Sequence, residues 1–172
     1  MKKLYLIGVP MGVGKTAACR ELKRMLPNSV FLDGDWCWDA NPFQVTEETK
    51  AMAMDNICHL LGNFLRCTAY THVIFCWVMH QQEIIDSLLA ELDRSRCAVR
   101  AISLVCTEDT LRRRLGGDVA AGRRTAEVIE RSVARLPLYG ALRTLRVPTD
   151  GKSPREVAES LAALGKAPPT AP

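Results

Sequence analysis

Apolar residues fall along this chain in short continuous runs that alternate with stretches of helical spacing. Leu4 to Val9 is one such run, and it ends at Pro10 and a group of glycines, which reads as a buried strand feeding a tight loop. Lys15 to Leu26 follows with Ala18, Leu22 and Met25/Leu26 at helical intervals, and Pro27 stops it. Val30-Phe31-Leu32 predicts a second strand running into Asp33-Gly34-Asp35. Thr46, with Glu47 and Glu48 behind it, predicts the cap of a helix whose stripe of Ile57, Leu60/Leu61 and Phe64/Leu65 ends near Ala69. Val73 to Val78 is a third strand, apolar without interruption as strands covered on both faces are.

Ile84/Ile85, Leu88/Leu89 and Leu92 mark the next helix, and Val99 to Val105 a fourth strand. Thr107-Glu108-Asp109 predicts the start of a helix that carries arginines. A second cap at Thr125 opens a helix through Val128/Ile129 and Val133 to about Leu136, where Pro137 ends it. Leu145 to Val147 is a short fifth strand. Ser153-Pro154-Arg155-Glu156 forms a capping box with proline at the first helical position, ahead of Val157, Leu161 and Leu164 and a stop at Gly165. The segment 166–172 predicts a frayed, proline-rich tail. Strands separated by helices imply a parallel sheet with helices on both faces, because right-handed crossovers place them there. With no repeat and no long linker, 172 residues read as one α/β domain.

Composition narrows the class. The chain is 48% apolar and 24% charged, which excludes a disordered polyelectrolyte. Its seven cysteines form no C-x-x-C pair and read as reduced core thiols of a reducing cytosol. No apolar run approaches the ~18 residues of a membrane span, and Lys2-Lys3 before Leu4 leads into glycines instead of a signal-peptide cleavage site. The expectation is a cytoplasmic protein with no membrane partner. The net charge of +4 is uneven: nine arginines and three acids lie between Arg112 and Arg146, 9 − 3 = +6, leaving 14 − 16 = −2 elsewhere. Such a run is either a solvated basic face or a grip on phosphate or carboxylate. No basic stripe is interleaved with aromatics, so no nucleic-acid partner is expected.

The loop after the first strand decides between those two. Gly8-Val9-Pro10-Met11-Gly12-Val13-Gly14-Lys15-Thr16 opens the first helix. Glycines let backbone N–H groups turn inward around phosphate oxygens, and the helix N-terminus adds partial positive charge. Lys15 would neutralise the β- and γ-phosphates and Thr16 would ligate Mg²⁺, with Gly12, Val13, Gly14 and Ala17 completing the nucleotide cradle. The full pattern G-x-x-x-x-G-K-[ST] asks for glycine where this chain has Val9, with Gly8 displaced by one. That is tolerable if the position needs no positive φ.

A GTPase would show D-x-x-G and N-K-x-D, and neither occurs. A motor, recombinase or AAA-type ATPase normally carries an acid at the end of a central strand, whereas Val73 to Val78 runs into Met79-His80. The acids stand instead at the end of the second strand, where Asp33 and Asp35, at i and i+2, are expected to project to one side at the carboxyl edge of the sheet. One would hold Mg²⁺ through its waters, the other would orient or deprotonate an acceptor hydroxyl. Asp-Gly is equally a turn signal.

Here the chain resembles the small-molecule and nucleotide kinases of the phosphate-loop superfamily. Leu32-Asp33-Gly34-Asp35 is similar to the L-D-G-D of adenylylsulfate kinases, and its D-x-D spacing to shikimate and gluconate kinases. Cys106-Thr107-Glu108 to Arg114-Leu115, with the arginines after it, looks like their lid, and Val147 to Pro154 like their last strand and helix start. The resemblance implies a three-layer P-loop NTPase fold with a five-stranded parallel sheet and a helical arginine-rich lid over about 112–136. It implies ATP-dependent, Mg²⁺-dependent phosphoryl transfer to a small-molecule or nucleotide acceptor, by a monomer or homodimer. It matches Arg114 to the arginine at the lid's start and Arg123 with Arg124 to its tip, acting on transition-state charge, with Gly116, Gly117 and Gly122 as hinges. Thr149 to Lys152, Asp150 and Lys152 included, fall in the loop that binds adenine in those kinases.

Arg112, Arg113, Arg131 and Arg135 read as solvated helix positions, and His59, His72 and His80 as structural. Trp36, Trp38 and Phe43 either line an acceptor pocket or form a local core. The alternative function is an ATP-binding module or slow ATPase that switches a partner protein.

Overall fold

In the computed structural model, which describes residues 1–166, the first apolar run is strand β1 (Lys2–Gly8), in the middle of a five-stranded sheet. β3 (His72–Trp77) and β4 (Cys97–Val105) flank it, β2 (Ser29–Asp33) pairs outside β3, and β5 (Leu145–Pro148) outside β4. Every pairing is parallel, from Leu4 against Val73 and Val99 to Asp33 against Cys76. The connections are α1 (Lys15–Met25), α2 (Glu47–Arg66), α3 (Gln82–Glu91) and the pair α4 (Glu108–Ala120) and α5 (Glu127–Tyr139), with α6 (Pro154–Lys166) last. This is the three-layer α/β arrangement of phosphate-loop proteins.

Alternation along β1 builds two cores. Leu4 and Leu6 enter one with Ile57 and Leu61 of α2 and Ile85 and Leu88 of α3. Tyr5 and Ile7 enter the other with Ala18 and Leu22 of α1 and Val157 and Leu161 of α6. Burial on both faces is why β1 and β3 carry no polar alternation. Gly165 is required by this packing, since a Cβ there would lie 1.8 Å from the Tyr5 hydroxyl oxygen.

α2 begins at its expected cap. Thr46 accepts the Thr49 N–H at 3.1 Å, and the Thr49 hydroxyl accepts the Thr46 N–H at 2.9 Å, a capping box with threonine in place of the usual Glu or Gln. The helix ends at Arg66, three residues before Ala69. The arginine-bearing region departs further from expectation. α5 starts at Glu127 with Ala126, not Thr125, at its cap, because the Thr125 hydroxyl is taken up by the Glu127 carboxylate. Pro137 lies inside α5, which continues to Tyr139. Fully buried Tyr139 anchors that last turn, and Gly140 and Ala141 close it by N–H bonds to the Pro137 and Leu138 carbonyls at 3.0 and 3.1 Å. α6 includes Lys166, and the rest of the expected tail lies outside the described residues.

None of the seven cysteines is paired. Cys19 and Cys76 are buried as expected of core thiols, whereas Cys67 is exposed at the end of α2. Among the described residues no helix is long and apolar enough to cross a membrane.

Candidate functional site

β1 ends at Gly8, and the chain loops from Val9 to Gly14 before α1 takes over at Lys15. Val9 is fully buried and its N–H bonds the Trp77 carbonyl at 3.1 Å. Its backbone is not in the left-handed region, where Asn28 is the only non-glycine among the described residues. Valine therefore serves where the full fingerprint asks for glycine. Gly12 and Gly14 both have φ of 83°, which L side chains resist. At Gly12 a Cβ would also lie 2.5 Å from Leu115 Cδ2 of α4. The loop is thus pressed against the arginine-bearing helix.

Lys15 and Thr16, the first two residues of α1, meet the acids of β2. Thr16 Oγ1 donates to Asp33 Oδ2 at 2.7 Å, and Lys15 Nζ lies 3.5 Å from Asp33 Oδ1 and 2.5 Å from Asp35 Oδ2. Burial disfavours the Lys15 ammonium, but the charges of Asp35 and Asp33 and the hydrogen bond to Asp35 outweigh it and raise its pKa. The two aspartates do not share a strand face as expected. Asp33 is the last residue of β2, and Asp35 sits in a one-turn 3₁₀ segment, Gly34–Cys37. Asp33 caps that turn by accepting the Asp35 N–H at 3.2 Å, and only glycine fits at position 34, where a Cβ would lie 2.5 Å from Trp77 Cγ. The Asp-Gly turn and the site are the same feature. Asp33 is 2% exposed, whereas Asp35 is open to solvent.

A cavity of about 450 Å³ opens over the loop, within the range of small-ligand sites. Gly12, Val13, Gly14, Lys15, Thr16 and Ala17 line it from below, Arg114 and Arg124 from α4 and the turn after it, and Thr149 and Lys152 from the β5–α6 loop. Arg114 donates to Thr149 Oγ1 at 3.0 Å, the Thr149 carbonyl at 2.9 Å and the Val13 carbonyl at 3.4 Å. Arg124 reaches Met11 Sδ at 3.3 Å and Asp118 at 3.4 Å.

Two residues stand elsewhere. Arg123 is exposed, pairs with Asp118 at 2.9 Å and does not line the cavity. Asp150 turns away from the cavity: its carboxylate accepts the Thr107 N–H at 3.0 Å and hydroxyl at 2.7 Å. Those bonds, with one from Thr110, hold its pKa down at about 2. Asp150 ties the start of α4 to the β5–α6 loop. Gly116 and Gly117 are helical within α4, and only Gly122, with φ of 68°, marks a bend. Arg112 bridges Glu108 and Glu130, clamping α4 to α5.

Sequence reasoning missed Asp118, which gathers both arginines; a lone acid between arginines forms no motif to find it by. Among the described residues, His80 Nδ1 and the Tyr139 hydroxyl are buried without a hydrogen-bond partner, and the charge of Arg135, one turn before Tyr139, acts on both. Burial first, then Arg135, lowers the His80 pKa.

The chain resembles solved phosphate-loop structures over its whole length. The tunicamycin resistance protein of Deinococcus radiodurans is 18% identical, with a TM-score of 0.68 and full coverage of both chains. A gluconokinase from Sinorhizobium meliloti 1021 is 17% identical, with a TM-score of 0.65 over 95% of this chain and 94% of that one. The APS kinase of Mycobacterium tuberculosis, in complex with AMPPNP and APS, is 15% identical, with a TM-score of 0.63 over 96% and 98%. At these identities the likeness shows the fold. Comparison with curated proteins returns no match. The sequence profile described as AAA domain matches residues 6–134, which corrects the exclusion of AAA-type proteins drawn from Met79-His80: the acid sits on β2, the strand next to β3. The chain has the fold of the phosphate-loop kinases and belongs to the AAA domain family.

Proposed function

We propose that this protein transfers the γ-phosphoryl group of ATP to the hydroxyl of a small acceptor. The observation that carries the reading is the meeting of Asp33 and Asp35 with Lys15 and Thr16, which line a cavity together with Arg114. In the step, the acceptor oxygen bonds to the γ-phosphorus, the bond from phosphorus to the β–γ bridging oxygen breaks, and ADP leaves. Asp35, solvent-open and beside Lys15, receives the hydroxyl proton. Lys15 and Arg114 offset charge on the transferring group, and the loop N–H groups hold the phosphates in line.

Thr16 and Asp33 fit Mg²⁺, a hard cation that keeps waters and takes only one or two carboxylates beside substrate phosphates. Bound there, the ion would neutralise charge on the β- and γ-oxygens. The segment 112–136 is proposed to act as a lid, with Arg124 reaching the phosphates and Arg123 doing so only after leaving Asp118. Residues 1–172 are taken as one cytoplasmic kinase domain, acting as monomer or homodimer.

The test is incubation with γ-labelled ATP and a panel of nucleosides, nucleotides, sugars and cyclitols. Label moving to an organic acceptor supports the reading. Label released only as free phosphate, whatever the acceptor, sinks it in favour of an ATPase that switches a partner.

A further inference from the structure

Four of the seven exposed large apolar side chains among the described residues, Trp36, Phe43, Val45 and Met52, lie between the site and the second turn of α2. Trp36 and Phe43 are 54% and 59% exposed, and rings left in water beside a site call for a ligand more than scattered ones do. Of the four, Met52 lines a second cavity, of about 300 Å³, walled also by Cys37, Trp38 and Pro42 with Asp39 and Thr49 as polar members. The cavity begins in the turn that presents Asp35, whose carbonyl accepts the Trp38 N–H at 3.4 Å. Its walls are fixed: Trp38 and Phe43 have ring centroids 4.7 Å apart, Trp36 stands edge-on to Phe31 at 5.2 Å, and Asn56 donates to the Cys37 carbonyl.

Charge then narrows the occupant. From Trp36 to Asn56 there are four carboxylates, Asp39, Glu47, Glu48 and Asp55, and one cation, Lys50. Lys50 is spent on Glu47 at 2.8 Å. Asp39, on the cavity wall, has no hydrogen bond or ion pair among the described residues. The first cavity has the opposite sign, with Lys15, Arg114, Arg124 and Lys152 on its walls. Arg135, whose charge acts on His80 and Tyr139, is not part of this wall.

We propose that the second cavity holds the phosphate acceptor, and that this acceptor is a ring-bearing alcohol carrying a protonated amine. The assignment rests on the kinase reading above. The ring packs against Trp38 and Met52, and the ammonium sits between Asp39 and the aromatic faces, as carboxylates and π-systems both favour. The hydroxyl reaches Asp35 for the step already described, with the same bonds made and broken. A carboxylate or sulfate acceptor is disfavoured by the sign of the wall. The volume admits one ring with a short side chain.

Four probes separate the terms: phenylalaninol, N-acetylphenylalaninol, 3-phenyllactate and serinol, titrated against tryptophan fluorescence with a nonhydrolysable ATP analogue present. Phenylalaninol should bind best, serinol should lose the ring contribution, and phenyllactate should bind worst. Asp39→Asn should erase a preference of roughly fivefold for the amine over its acetylated form, and Trp38→Ala should weaken every ring-bearing probe. Phenyllactate binding as well as phenylalaninol would overturn the proposal. Indifference of the ranking to Asp39→Asn, or no binding of any ring-bearing probe at millimolar concentration, would overturn it too. Label transfer in the same mixtures keeps the two readings apart. Selective amine binding with label only as free phosphate sinks the kinase reading and leaves the ligand class standing. Transfer to carboxylate acceptors, unchanged by Asp39→Asn, does the reverse.

Discussion

Lys15 Nζ lies 2.5 Å from Asp35 Oδ2, so the lysine that would hold a nucleotide's phosphates is already paired with the carboxylate that would take the acceptor's proton. Phosphate oxygens must compete with Asp35 for that ammonium. Asp35 is largely exposed, so the pair is worth no more than about 1 kcal/mol. Asp35→Asn should therefore tighten ATP binding by up to about fivefold while lowering kcat by roughly 10²–10⁴ through loss of the base. Equilibrium binding and steady-state rates on one preparation check it, and parallel losses in both would mean that Asp35 only supports the loop.

Arg114 satisfies three acceptors, two on Thr149 and one on Val13, and none is a carboxylate. Its charge thus remains available to the cavity. Arg114→Ala should cut kcat by about 10³, with a smaller rise in the KM for ATP. Thr149 acts as a positioning residue. Thr149→Val removes one of its two bonds to Arg114 and should cost about tenfold in kcat, with Thr149→Ser restoring it. A KM effect larger than the kcat effect for Arg114→Ala would demote the arginine to ground-state binding.

What was legible beforehand followed from local constraints. An unbroken apolar run before Gly12-Val13-Gly14-Lys15-Thr16 allows little besides strand, loop and helix, because burial on both faces and positive φ at two glycines are written in residue types. Asp33 and Asp35 were identifiable as residues, but their geometry was not. Strand alternation says nothing of the 3₁₀ turn, capped by Asp33 on the Asp35 N–H and packed under Trp77, in which Asp35 meets Lys15. Arg114 and Arg123 look alike in a run of arginines, and only the folded chain puts Thr149 beside one and Asp118 beside the other. Asp150 was misread for the same reason: its partner, Thr107, is 43 residues away.

Gly12 and Gly14 share a φ of 83° and differ in surroundings, since a Cβ on Gly14 meets nothing within 4 Å whereas one on Gly12 strikes Leu115. Gly14→Ala should cost about 1 kcal/mol for the backbone alone. Gly12→Ala adds overpacking against a fully buried side chain and should cost about 2–4 kcal/mol. Urea unfolding of the two variants measures the difference, and equal losses would show that the loop moves away from α4 freely. Both should weaken ATP binding, because the N–H groups they redirect are those that face the phosphates.

His80 gives the fold a pH dependence of predictable sign. Burial, followed by the charge of Arg135, lowers its pKa below the ordinary 6.5, and its Nδ1 is enclosed without a partner. The unfolded chain takes up a proton near 6.5 and the folded chain only below that, so between the two values the unfolded state binds more protons. Stability should be steady above pH 7, fall as pH drops through 6.5, and level off once the folded pKa is passed. Asp150, held at about 2 by Thr107 and Thr110, contributes stability that is lost only between its ordinary 3.8 and that value. Urea midpoints for the wild type and His80→Gln between pH 5 and 8 test the assignment. The variant should lose the slope around pH 6.5, whereas an unchanged slope would assign the titration to another group.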